Sequence, residues 1–183
     1  MIREAKLPEK LSWLTFTKEY QTISHFYEGK VAKRSKVPYM NHIIEGCIIL
    51  DYLRLKDEGM KAFCLHPLCQ DDKDLLTFLP ESERYSSIAV GLAIEFGNVA
   101  NGYLSKNDLW RERINLSPVP TVNDMLIADK VQNFKDFLLY HKGTHPRSEH
   151  LEQYFINWLT KLDVQNNLIE MLDLIGYRDA QHL

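Results

Sequence analysis

Paired C-x-x-C motifs are missing from this chain, and so is an even set of cysteines. It holds three, Cys47, Cys64 and Cys69, each among apolar neighbours. The odd count argues against a disulfide framework and for reduced, buried thiols, so the expected compartment is the cytoplasm. The lack of C-x-x-C pairs removes the paired-cysteine zinc modules. No apolar run approaches the roughly 20 residues that span a bilayer. The opening "MIREAKLPEK" has no apolar core of the kind a signal peptide needs. Neither a membrane partner nor a secretory leader is therefore expected. A strong charge bias is lacking too: a net charge of -3 offers no footprint for duplex DNA. Period-two alternation and turn dipeptides are scarce, which leaves little room for strands.

What is present is the composition of a soluble globular protein, with 45% hydrophobic and 26% charged residues. The 183 residues suit one domain, 1–183, large enough to bury roughly 70% of the unfolded surface in one core. Apolar periodicity predicts helices nearly throughout. Trp13, Phe16, Tyr20 and Ile23 mark a first helix ending near His25. "EGKVAKRSKVPYM" is a basic loop, after which a helix restarts near Tyr39 and carries His42 in its first turn. Gly59 marks a turn, and a short apolar helix follows from Met60 to about Leu68. "DDKDLLTFLPESERYS" is expected to be loop with one turn at most. "SSIAVGLAIEFGNVANGYLS" is expected to form two short helices hinged at Gly97. Thr121 is the expected N-cap of a long helix reaching about His141. Two more helices follow, about Ser148 to Leu162 and Val164 to Ile175, with Gly176 as the stop.

Several polar residues sit where apolar ones belong. Asp129 and Asn133 fall on the apolar stripe of the long helix, one turn apart. A buried carboxylate needs a partner, whether a metal, a base or a set of donors; the plainer reading is an Asp at the stripe's edge with local hydrogen bonds. His66 lies among Phe63, Cys64, Leu65 and Leu68, either as a satisfied core residue or as a ligand, since neutral imidazole is the commonest metal-binding side chain. His42 precedes the run Ile43, Ile44, and is either a helix-end residue or a ligand. "KVAKRSK" places four cations in seven residues. It is either a solvated loop or a phosphate clamp. His141, His145 and His150 read as surface histidines near helix ends, with a second metal site as the alternative.

Four blocks occur in a familiar order: "KRSKVPYMNH", "AFCLHPLCQDD", "EFGNVANGYLSK" and "MLIADKVQNF". Together with the flanking helices they span about residues 11 to 160, and the sequence resembles the HD-domain hydrolases of the RelA/SpoT family, especially single-domain small alarmone hydrolases. The resemblance implies an all-α helical bundle with a central site for one divalent metal, most often manganese. By position the ligands fall on His42, His66 and Asp129. The family's acidic pair that activates water falls on Gln70 and Asp71. The substrate contacts fall on Lys33, Arg34 and Ser35 of the basic loop and on Asn133. The implied partner is a small-molecule nucleotide such as guanosine tetraphosphate, which would lose pyrophosphate from its 3′ position. His25 matches an earlier family histidine that is not a ligand.

Two positions depart from that pattern. Pro67 stands where the family has a metal-binding Asp, and Gln70 where it has Glu. Proline in a helix clashes with the carbonyl four residues earlier, here Phe63, so the helix is expected to kink or end near His66. Three readings follow: a metal-dependent phosphohydrolase with an altered site, an inactive homologue that binds a nucleotide or a protein partner, or a purely structural role for the His and Asp positions.

Overall fold

Thr17 divides what the aromatic spacing presents as one first helix. Its hydroxyl accepts a hydrogen bond from the Tyr20 amide at 3.2 Å and caps α1 (Lys18–Phe26), while Glu9–Phe16 winds as a tighter 3₁₀ helix. Phe16 consequently leaves the apolar stripe and is 80% exposed, whereas Ile23 is fully buried. The computed structural model describes residues 4–110 and 113–178. Its further helices are α2 (Tyr39–Tyr52), α3 (Asp57–Gln70), α4 (Asp72–Phe78), α5 (Ser87–Asn101), α6 (Pro120–Tyr140), α7 (Ser148–Lys161) and α8 (Leu168–Leu174), with a second 3₁₀ turn at Leu79–Arg84. The protein is an all-α bundle. Among the described residues no strand forms, only an isolated bridge between Val31 and Pro38. No described helix is long and apolar enough to cross a membrane.

Helix α6 is the axis of the bundle. It packs against α2, α3, α5, α7 and α8, and its middle, Ala128 to Gln132, is buried without interruption. A helix surrounded by others needs apolar residues on every face. Here several of those faces carry charged or amide side chains instead, and that anomaly locates the site. Buried apolar residues from all eight α-helices join one core.

The structure corrects four expectations. The segment after Gln70 is not loop, because the Asp71 carboxylate accepts the Lys73 amide at 2.9 Å and so caps α4. Helix α5 runs unbroken through Gly97. A β-carbon there would lie 2.6 Å from the Cys69 carbonyl oxygen, so the glycine serves close approach to α3 rather than a hinge. Helix α6 starts at Pro120, with no side-chain cap from Thr121; Asn123 instead accepts from the Ser117 amide and donates to its carbonyl. Finally, α3 neither ends nor breaks at Pro67 but continues to Gln70. Shorter shifts occur elsewhere: α3 begins at Asp57, before Gly59, and α8 at Leu168, after a turn from Val164 to Asn167. Gly176, at φ 87°, is the expected stop.

Candidate metal centre

Three helices each deliver one side chain to a common point. Pro38 precedes α2 and places His42 in its first turn, His66 projects from the buried face of α3, and Asp129 from the middle of α6. The two imidazole Nε2 atoms are 3.1 Å apart. Asp129 Oδ1 lies 3.4 Å from His42 Nε2 and 3.9 Å from His66 Nε2. His66 and Asp129 are buried.

The hydrogen bonds around the rings fix which atoms carry protons. Gln132 Nε2 donates to Glu45 Oε2 and to Asp136 Oδ2, both at 3.0 Å. Two carboxylates claim the amide nitrogen, so the Gln132 oxygen must face His42 Nδ1, at 2.6 Å. An amide oxygen can only accept, and His42 therefore carries its proton on Nδ1. His66 Nδ1 lies 2.6 Å from the Phe63 carbonyl, which again can only accept. Both Nε2 atoms thus turn bare lone pairs toward each other and toward a carboxylate. Burial, with a smaller contribution from His42, pulls the His66 pKa down to about 3, so the His66 ring is neutral at neutral pH.

With these tautomers, three acceptor atoms converge that could hold a cation. Metal–nitrogen bonds of about 2.1 Å place neighbouring ligands roughly 3.0–3.4 Å apart, close to the first two separations here. His42, His66 and Asp129 are also the one group of three such residues with converging donor atoms among the described residues.

Lys130 modifies the charge of the site. Its ammonium sits 2.7 Å from Asp129 Oδ2 and 4.9 Å above the Trp158 ring. The ammonium pairs with Oδ2 as an ion pair, while Oδ1 accepts from Asn133 at 3.0 Å. Burial is the largest influence on Asp129 and would raise its pKa, but Lys130, His42 and His66 together outweigh it and hold the carboxyl below its ordinary range. Asp129 is therefore ionised, as a ligand must be.

The centre opens into a cavity of about 510 Å³ whose walls include Tyr27, Ser35, Gln70, Asn133, His141 and Tyr154. An adjoining cavity of about 400 Å³ shares Tyr27, Pro67, Gln70 and Tyr154 with it and adds Asp71, Ser105 and Lys106. A wider groove of about 590 Å³ runs past His25 but has no converging acceptors. Burial, followed by Tyr39 and Asp129, raises the Tyr27 pKa, which keeps its phenol protonated and able to donate.

Of the residues predicted from sequence, His42, His66 and Asp129 converge, and Ser35, Gln70 and Asn133 line the same cavity. Asp71 faces the adjoining one and is engaged as the α4 cap. Lys33 and Arg34 are exposed on the 31–38 loop and do not line the cavity. Arg34 reaches the Thr144 carbonyl at 2.6 Å and lowers the pKa of His141, after burial and His145, so it stands near the rim. His141 itself is a wall residue rather than a surface one. Sequence reasoning missed Lys130, Gln132, Glu45, Lys135 and Asp136. The signal was the density of polar residues in "ADKVQNFKD" on a helix buried from all sides. Protein-family models, curated proteins and solved structures give no match to the chain. Fold and site together define an all-α protein with a buried centre of two imidazoles and one carboxylate.

Proposed function

We propose that this protein is a metal-dependent phosphohydrolase of HD type that acts on a nucleotide, with an altered and slow site. The observation that carries the reading is the pair of imidazole lone pairs 3.1 Å apart with an ionised carboxylate beside them. The order of the four sequence blocks supplies the reaction class. His42 Nε2, His66 Nε2 and Asp129 Oδ1 would hold the ion. A divalent ion there acidifies bound water and neutralises phosphate oxygens. The resemblance implies manganese, while two nitrogens and one carboxylate suit zinc as well.

The chain's own groups have limited roles. Gln70 can orient a water but cannot take its proton, and the further carboxylate on the cavity wall, Asp136, is engaged by Gln132 and Lys135. A general base contributes about 10²–10⁴-fold in rate, so its absence accounts for a slow enzyme. The Tyr27 phenol can donate to a phosphate oxygen, and Arg34 and Lys33 supply positive charge near the entrance. The engagement of Asp71 as a helix cap favours the second reading, a nucleotide- or protein-binding homologue without activity.

Protein purified without chelator is titrated calorimetrically with Mn²⁺ and Zn²⁺ and assayed for pyrophosphate release from guanosine tetraphosphate. About one ion per chain is expected, with binding lost in Asp129→Asn, together with slow turnover. Metal binding without turnover selects the inactive homologue. No binding of either ion at millimolar concentration refutes the metal centre.

A further inference from the structure

We infer that Pro67 is a positioning residue: its missing backbone N–H leaves the Phe63 carbonyl to His66 Nδ1, which holds the His66 Nε2 lone pair on the metal centre. This rests on the metal-centre reading and explains the feature that most disfavours it.

In a regular helix the amide of residue 67 would donate to the carbonyl of residue 63. Proline has no amide hydrogen, so the Phe63 carbonyl loses its helical partner inside the core. An unpaired buried carbonyl is costly. His66 is one residue away on the same turn, and its Nδ1 sits 2.6 Å from that oxygen. The ring is wedged between Phe63 and Phe96, with centroids 4.5 and 4.6 Å away. It therefore cannot swing off to find another acceptor.

The alternative tautomer shows what the arrangement prevents. With its proton on Nε2, His66 would donate to His42 Nε2 at 3.1 Å. The empty site would then be satisfied by a hydrogen bond between the two ligands, and a metal ion would have to break it. Gln132 imposes the same tautomer on His42 by a side-chain route. Pro67 achieves it on His66 through the backbone. A substitution that removes a ligand carboxylate at position 67 thus leaves the neighbouring ligand locked in its binding form. Hydrogen-bond partners behind a metal ligand are worth about 10–100-fold in metal affinity.

Pro67→Ala restores the amide and leaves the site's side chains intact. Alanine is the best helix former, so this variant folds and its Tm rises. The restored amide, fixed by the helix, competes for the Phe63 carbonyl, and the His66 ring shifts toward the Nε2–H form. The readout is the tautomer of His66 in the metal-free full chain, from long-range ¹H–¹⁵N spectra of ¹⁵N-histidine-labelled protein at neutral pH, the signal assigned by its loss in His66→Asn. Zn²⁺ affinity is measured alongside by calorimetry. Nδ1–H in the parent, a growing Nε2–H population in Pro67→Ala and at least a tenfold loss of affinity bear out the inference. A higher Tm with unchanged tautomer and affinity makes Pro67 merely structural and overturns it, as does Nε2–H in the parent. If the tautomer shifts as stated but the parent binds no metal, the positioning role stands and the metal-centre reading fails.

Discussion

Gln132 carries more of the site than its chemistry suggests. It is fully buried, accepts from His42 and donates to two carboxylates, one of which, Glu45, is paired with the buried Lys135. Gln132→Leu keeps the volume but strands the His42 Nδ1 proton and takes one donor from Asp136, which keeps Lys135 at 3.3 Å. Each unsatisfied buried group costs about 1–3 kcal/mol, so a loss in that range is expected in urea unfolding. Metal affinity should fall about 10–100-fold as His42 is freed to change tautomer. An unchanged affinity would reduce the network to a stability device. At this scale the sequence showed the three converging side chains but not their supports. Asp129 and His66 stood out as polar residues on apolar faces. Lys130 did not, because a lysine beside an aspartate on a helix reads as solvated. Its burial depends on Trp158 and Tyr154, which lie far along the chain, and no local pattern reports them.

Helices α3 and α5 share the most extensive helix–helix contact in the bundle, and Gly97 permits their approach. Gly97→Ala adds up to about 1 kcal/mol of helix propensity but drives a β-carbon to 2.6 Å from a backbone oxygen of Cys69. Backbone cannot rotate away as a side chain can, and overpacking costs typically about 1–3 kcal/mol, so the clash wins. Gly91→Ala, on the same helix with open space around it, shows the propensity gain alone. The urea midpoint should fall for the first and rise for the second at constant m; a rise for both would return Gly97 to the role of a tolerated helix glycine. Most element positions were legible, since 3.6-residue periodicity is a local signal. The meaning of Gly97 was not, because a glycine that bends a helix and one that admits a neighbouring helix look alike in sequence. Asp71 as a cap was also hidden, since the resemblance assigned that residue to chemistry.

The three donors of the centre come from α2, α3 and α6, so an ion held between them ties together elements distant in sequence. Any global opening must release it. The cysteines report that opening: Cys47, Cys64 and Cys69 are all buried and free, and Cys64 and Cys69 flank His66 on α3. Burial, with Cys47 alongside, raises the Cys64 pKa, and burial pushes Cys69 up to about 12. Thiolate is the reactive form, so neither thiol reacts from the native state at pH 8, and labelling by a disulfide reagent proceeds through unfolding. A ligand that binds only the native state lowers the open population by the factor 1 + [L]/Kd, about 100-fold, or 2.7 kcal/mol, at 100 times Kd. With Mn²⁺, which has little affinity for neutral thiols, labelling of all three cysteines should slow by that factor, provided reclosing outpaces the reagent. In Asp129→Asn the ion should leave the rate unchanged. Rapid labelling of the native parent would show that α3 opens locally, and the centre would then be a site assembled only on binding.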